Sequence, residues 1–284
     1  MTVKKLLVAG AGQMGAGIVQ VSAVAGLDVV MIDVADNIIR RGMAGIEKGL
    51  GRLVEKGRME PAARDAALAR ITTGTDMAAG ADADLFVEAT PEVMKIKEQV
   101  FVRASLTLRD DAIIATNTSS LSVTKLAACV TNRARFVGIH FFNPVPVMAL
   151  VEVVKGIETG DETVTAARAY AEAVGKTPIT VTDSPGFVVN RILFPMINEA
   201  AQAFSEGVAG ATDIDAGMKL GANWPMGPLA LADLVGLDTT VAILETLQRE
   251  LNDARYRPAE ILGDFVAAGK LGRKSGAGFY DYGP

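Results

Sequence analysis

The sequence predicts an α/β protein, with a doubly wound, mostly parallel sheet over residues 1–183 and an all-helical domain over residues 184–284. Three observations predict it. Short apolar strands alternate with helical segments between Lys4 and Val154. The first strand runs directly into the glycine cluster Gly10-Ala11-Gly12-Gln13-Met14-Gly15. Beyond Thr182-Asp183-Ser184-Pro185-Gly186 the strand-like segments stop and helical periodicity takes over.

Composition narrows the function classes. A chain of 284 residues that is 50% hydrophobic can bury the cores of two medium domains. The net charge is -5, and the basic residues form only short pairs such as Lys4-Lys5 and Arg40-Arg41, which argues against nucleic acid as a partner. The single cysteine, Cys129, cannot form an internal disulfide, and no Cys/His group has zinc-ligand spacing, so no metal and a reducing cytoplasm are expected. The uncharged run Leu6 to Leu27 imitates a signal or membrane span, but its glycines, together with Gln13, Gln20 and Ser22, suit a strand, a turn and a helix better. No membrane association is expected.

Taken in order, Lys4 to Ala9 reads as a strand, and Met14, Ile18, Val21 and Ala25 give the next segment helical spacing. Between them G-x-G-x-x-G stands where a dinucleotide needs it. Gly10 makes the tight turn, Gly12 admits a pyrophosphate, Gly15 lets helix pack on strand, and the helix N-terminus at Gln13 and Met14 offers N–H donors to phosphate. Asp28 to Ile32 is the second strand, and Asp33 follows about twenty residues after the glycines, where a carboxylate accepts both ribose hydroxyls. This predicts a Rossmann-like NAD site. A 2′-phosphate would be repelled by Asp33, although NADP use stays open and Asp33 could also be a helix N-cap. Helices over Asn37 to Lys56 and Pro61 to Arg70, strands at Ile71 to Thr73 and Asp84 to Glu88, a helix over Pro91 to Leu108 and a strand at Ala112 to Thr116 continue the alternation. Ligands in such sheets bind beyond the carboxyl ends of strands, which brings Glu88, Glu92, Asn117, Ser119 and His140 toward one cleft.

His140 is the only histidine. It closes the strand Arg135 to His140, and the proline-broken turn Asn143-Pro144-Val145-Pro146 leads to a further strand, Ala149 to Val154. A hairpin centred on that turn places Glu152 across from His140. A buried glutamate needs a partner, and a carboxylate on one ring nitrogen orients the imidazole for proton exchange through the other. The alternatives are a histidine satisfied in the core and a Glu152 facing solvent on an edge strand. Thr116-Asn117-Thr118-Ser119-Ser120 offers hydroxyls and an amide, though such a run is also an ordinary helix-capping turn. Asp183 to Arg191 opens a long apolar segment reaching Phe204 and interrupted by Pro195, and Asn190 within it is either a site amide or a core amide.

These residues resemble the L-3-hydroxyacyl-CoA dehydrogenase family in its short, stand-alone form, over essentially the full chain. The motifs that carry the resemblance are Gly10 to Ile18, Asn117 to Leu121, His140-Phe141-Phe142-Asn143-Pro144-Val145-Pro146, Asp183 to Arg191 and Pro225-Met226-Gly227-Pro228. The resemblance implies interconversion of 3-hydroxybutyryl-CoA and acetoacetyl-CoA with NAD. It implies His140 as acid/base, Glu152 as its partner, Ser119 and Asn190 as contacts to the substrate oxygen, and Asp33, Glu92, Lys97, Asn117, Asn143 and Lys274 along the NAD site. Coenzyme A would lie on the helix bearing Lys48, Arg52 and Lys56, a stripe that is otherwise a solvated face; Gly49 there departs from relatives that carry a hydroxyl.

The second domain reads as helices at Phe187 to Glu206, Asp213 to Leu220, Leu229 to Val235, Asp238 to Leu251 and Ala259 to Ala268, followed by a glycine-rich tail from Gly272 to Gly283. Its apolar faces predict a homodimer. Two other functions compete with the first: an NAD-linked dehydrogenase of a free hydroxy or sugar acid, and a non-catalytic nucleotide-binding protein. The β-hydroxyacid dehydrogenases would be expected to carry a lysine before the asparagine of the connecting helix, and Gly186-Phe187-Val188-Val189-Asn190 has none.

Overall fold

The computed structural model describes residues 3–283. They form two compact units, and the chain passes from one to the other between Ser184 and Pro185.

The first unit contains β1 (Lys5–Ala9), α1 (Gln13–Val24), β2 (Asp28–Ile32), α2 (Asp36–Glu55), α3 (Pro61–Ala69), β3 (Ile71–Gly74), β4 (Leu85–Glu88), α4 (Met94–Thr107), β5 (Ile113–Thr116), α5 (Val123–Ala127), β6 (Phe136–Phe141), β7 (Leu150–Lys155), α6 (Asp161–Ala173) and β8 (Thr177–Thr182). The strands form one eight-stranded sheet in the order β3-β2-β1-β4-β5-β6-β7-β8. From β3 to β6 every neighbouring pair is parallel, β6 and β7 are antiparallel, and β7 and β8 are again parallel. The doubly wound, mostly parallel sheet is therefore as the sequence predicts. Leu6, Val8, Met31, Leu85, Val87, Ile113, Val137, Ile139, Val151 and Val153 are all buried in its core. Strands covered on both faces read as continuous apolar runs.

Three elements of this unit have no counterpart among the predicted ones: α5, α6 and β8. Strand β8 occupies the sheet edge, where Thr177, Ile179 and Thr180 stay at least partly exposed and Pro178 is tolerated. Its presence settles one alternative, because β7 lies between β6 and β8 and Glu152 is fully buried. Helix α4 starts at Met94, three residues later than Pro91, because Val93 is extended and the Glu92 carboxylate is committed to the loop after β5.

The second unit is built from α7 (Val189–Ser205), α8 (Ala211–Gly221), α9 (Pro228–Val235), α10 (Leu237–Leu251) and α11 (Glu260–Ala267) around Phe194, Ile197, Leu229, Leu237, Leu244 and Leu262. Helix α7 begins two residues later than Phe187, since Gly186 (φ 73°) and Phe187 (φ 51°) are left-handed and cannot join a right-handed helix. Pro195 does not interrupt it. One backbone bond is forgone, and the buried face of Phe194, Ile197 and Ala201 carries the helix through. Two buried aspartates tie the unit together. Asp215 accepts from the backbone N–H groups of Leu229 (2.8 Å) and Ala230 (2.9 Å), capping α9 from a distance. Asp233 accepts from Phe279 N and Tyr280 N, both at 3.0 Å, and so fixes the tail. Among the described residues no helix is long and apolar enough to cross a membrane.

Candidate active site

The carboxyl ends of β1, β2, β4, β5 and β6 share one edge of the sheet, and the residues that follow them form the site. After β1 the chain turns at Gly10 (φ 110°), and a Cβ there would collide with the Ala89 carbonyl. A Cβ at Gly15 would overlap the Gly10 carbonyl oxygen, so the third glycine is what lets α1 leave the strand so closely. Gly12 differs from both. A Cβ there would meet nothing within 4 Å, its φ is ordinary, and it stands as the N-cap of α1 with no side chain to satisfy the first N–H groups. The first intrahelical bond of this turn runs from Ala16 N to Gly12 O (2.8 Å), leaving the N–H groups of Gln13, Met14 and Gly15 ahead of the ladder. Asp33, directly after β2, accepts from Ala11 N (2.7 Å) and Val34 N (2.7 Å), which stations a carboxylate beside the turn. Open space over Gly12, unladdered donors and an adjacent carboxylate fit the pyrophosphate and ribose of a dinucleotide.

A second layer lies behind the ends of β4 and β5. Glu88, fully buried, accepts from Lys97 Nζ at 2.7 and 2.9 Å, from Thr90 N and Oγ1, and from Thr116 Oγ1 (2.7 Å). Lys97, assigned to the NAD site by resemblance, is 1% exposed, and its ammonium is engaged by Glu88, Glu92 and the Thr90 carbonyl. Glu92 gathers the next loop: its Oε1 accepts from Thr118 Oγ1, Ser119 N (2.9 Å), Ser120 N (3.0 Å) and Ser120 Oγ (3.1 Å). Burial pushes the Glu92 carboxyl up, but Lys97 and the donors of Thr118 and Ser119 outweigh it and hold the group below its ordinary value. Ser119 is thus placed by a carboxylate that grips its own backbone. Asn117 Oδ1 accepts from Phe141 N (2.9 Å), pinning the exit of β5 to the end of β6.

His140 and Glu152 occupy the same rung of the antiparallel β6–β7 ladder. His140 Nδ1 lies 2.8 Å from Glu152 Oε2; the histidine is 6% exposed and the glutamate 0%. The ring of Phe142 leans on the imidazole with centroids 4.6 Å apart. Asn143 opens the connection to β7 with a cis peptide to Pro144. Together with Gly12, Gln13 and Pro146 it lines a cavity of about 480 Å³ beside the glycine turn.

The remaining expected residues are carried by α2 and by the second unit. Lys48 and Arg52 are exposed on α2, with Lys56 at its C-cap. Gly49 on the same helix faces inward, where a Cβ would stand 2.8 Å from Gln20 Oε1, which accounts for the absence of a hydroxyl-bearing side chain. In the second unit Asn190 is the second residue of α7. Lys274 there pairs with Asp238 at 2.5 Å and holds that carboxyl below its ordinary value. The sequence analysis missed the part that three residues play in this architecture: Asp183 as a cap, Glu88 as a buried hub, and Lys176. Asp183 accepts from Ser122 Oγ (2.8 Å), Thr124 N (2.8 Å) and Val123 N, capping α5.

A parallel sheet with a glycine turn on a helix N-terminus, and a buried imidazole–carboxylate pair at the same edge, defines a dinucleotide-binding protein of the doubly wound α/β class. Residues 5–184 match the family model for the NAD binding domain of 3-hydroxyacyl-CoA dehydrogenase, and residues 186–282 match that for its C-terminal domain. The chain belongs to the 3-hydroxyacyl-CoA dehydrogenase family. It is 51% identical to a probable 3-hydroxybutyryl-CoA dehydrogenase of Deinococcus radiodurans, over 98% of this chain and 100% of that one. It is 47% identical to 3-hydroxybutyryl-CoA dehydrogenase of Bradyrhizobium diazoefficiens, over 99% and 96%. The crystal structure of (S)-3-hydroxybutyryl-CoA dehydrogenase from Ralstonia eutropha is similar over 100% of both chains, with a TM-score of 0.97 and 48% identity. The NAD-dependent oxidoreductase class read from the sequence stands on these matches.

Proposed function

We propose that this chain interconverts a short 3-hydroxyacyl-CoA and its 3-oxo form, with 3-hydroxybutyryl-CoA and acetoacetyl-CoA as the pair, using His140 as acid/base. The observation that carries the reading is the buried His140–Glu152 rung at the sheet edge that also bears the glycine turn. NAD, when bound, supplies the hydride acceptor for C3 of the substrate. His140 takes the 3-hydroxyl proton through Nε2 as that hydride leaves, and in reduction the imidazolium returns it to the forming alkoxide. Glu152, bonded to Nδ1, fixes the ring and offsets its positive charge. Ser119, held by Glu92, donates to the substrate oxygen. Asn190 is assigned the same task on the resemblance of its motif, and Lys274 a contact to NAD.

Lys48, Arg52 and Lys56 form an exposed cationic face suited to the phosphates of coenzyme A. In the second unit Val188, Ile192 and Met196 follow one another at four-residue spacing on and just before α7, between 38% and 57% exposed, and support a homodimer formed through that unit. The test mixes purified protein with NADH and acetoacetyl-CoA and follows the loss of reduced-cofactor absorbance. Turnover of the free acid alone moves the substrate class to hydroxy or sugar acids. NADH binding with no turnover of any carbonyl compound overturns the catalytic reading.

A further inference from the structure

Two lysines are buried among the described residues, and they are buried differently. Lys97 meets carboxylates. Lys176, 8% exposed, meets none: its ammonium donates to the carbonyl oxygens of Val145 (2.5 Å) and Met148 (2.9 Å). Burial pushes its pKa down, with no carboxylate to oppose the shift. An ammonium kept out of water on neutral partners is costly, so what it holds matters.

It holds the connection between β6 and β7. Pro144 and Pro146 contribute no N–H to that loop, and its internal bonds converge on one acceptor, with Val147 N and Met148 N both donating to Pro144 O. Of residues 143–149 only Val145 is buried. Its side chain packs on α1 where Gly17 leaves room, since a Cβ on Gly17 would lie 2.7 Å from Val145 Cβ. From below, Gly175 (φ 75°) ends α6 and turns the chain so that Thr177 N donates to Ala149 O (2.7 Å) and Lys176 reaches under the loop. The loop is clamped at Val145 from two sides, its side chain by α1 and its carbonyl by Lys176, which also holds the Met148 carbonyl. Asn143, Pro144, Val145 and Pro146 form one wall of the cavity beside the glycine turn.

We propose that Lys176 is a positioning residue whose ammonium sets this wall at the distance from the glycine turn that NAD and acyl-CoA require. The inference rests on the proposed function for the identity of the ligands. Its signature is a split: His140 and Glu152 are placed by strand register, not by this loop, so Lys176 governs ligand affinity more than the rate of the bound complex.

Lys176→Met keeps the length of the side chain and removes the donors. Expected are increases of about tenfold or more in the Kd for NADH, read by its own fluorescence, and in the KM for acetoacetyl-CoA, the loss of one charge-assisted hydrogen bond or more. The kcat should change by less than about threefold, and Lys176→Arg should recover part of the affinity. If Lys176→Met does not accumulate as folded protein, Lys176→Gln is judged by the same numbers. Unchanged Kd and KM in folded variant, whatever happens to Tm, overturn the proposal, as does a loss confined to kcat. If wild-type protein does not turn over acetoacetyl-CoA but the variant still binds NADH tenfold more weakly, the reaction assignment fails and the clamp stands.

Discussion

His140 and Glu152 face each other across one rung of the only antiparallel pair in the sheet among the described residues, Nδ1 to Oε2 at 2.8 Å. Substituting His140 with Gln removes the imidazole to which the proposed proton exchange is assigned. It should lower kcat by roughly 10²- to 10⁴-fold while leaving NADH affinity within twofold or so. Glu152→Gln keeps an acceptor for Nδ1 but not the charge, and a loss in kcat of similar order is expected. Steady-state kinetics together with NADH titration of each variant checks both; full activity in either dismisses the acid/base assignment.

The three glycines of the turn should separate folding from cofactor binding. Gly15→Ala drives a methyl group into the Gly10 carbonyl and should destabilise the protein by several kcal/mol, roughly the range of severe steric and backbone substitutions. Gly12→Ala meets open space, so its stability cost should stay within about 1 kcal/mol, the range for a replaced N-cap. Its NADH affinity should nevertheless collapse, because the methyl group lies where backbone must approach pyrophosphate. Thermal unfolding and NADH titration on the pair report the contrast; parallel losses in both variants would contradict it.

Asp33 should set the choice between NADH and NADPH. Replacing it with Asn removes a charge that favours ribose hydroxyls and repels a 2′-phosphate. The ratio of kcat/KM for NADH to that for NADPH should fall by about tenfold or more, one charged hydrogen bond being worth ~1.5–3 kcal/mol.

Glu92 should leave a mark on acid stability. Its carboxyl is held below the ordinary value, so the stabilisation it gives is complete above the unfolded-state pKa, about 4.3, and disappears as pH falls through the lower folded-state value. The Tm difference between wild type and Glu92→Gln should therefore be present near neutrality and shrink in the acid range. The side chain is 36% exposed, so solvent screens the effect and the difference should be small. Calorimetry across that range decides it; a difference that grows on acidification has the wrong sign.

Much of the first unit was legible because strand-to-strand alternation, a glycine turn and a terminal acidic residue are local signals. The His140–Glu152 contact was legible for the same reason: a short proline-marked turn between two apolar runs limits the possible register. Helix α5 was missed because it is only five residues long, and helix α6 and strand β8 because β8 lies at the edge, half polar and with a proline in it, and so lacks the apolar run of its neighbours. The role of Glu92 was legible only in part. Its position beyond β4 put it near the cleft, but that its carboxylate gathers the Thr118 hydroxyl and the backbone N–H groups of Ser119 and Ser120 depends on a loop closed across 27 positions of chain. Lys176 had no signal at all, since a lysine after a helix ordinarily faces water, and only the packed loop above it makes it an interior cation.

Because the imidazole and its carboxylate meet on a ladder rung, and β7 is held in register by β8 as well as by β6, their spacing is written into strand geometry once the sheet has formed. A one-residue insertion or deletion inside β6 or β7 would turn one partner to the opposite face of the sheet and abolish the pair. The same change between Phe142 and Ala149 would leave it standing and reshape the pocket wall alone. Insertions and deletions among descendants of this sequence can therefore accumulate in that loop, altering which molecules are held, while the imidazole–carboxylate pair is inherited unchanged.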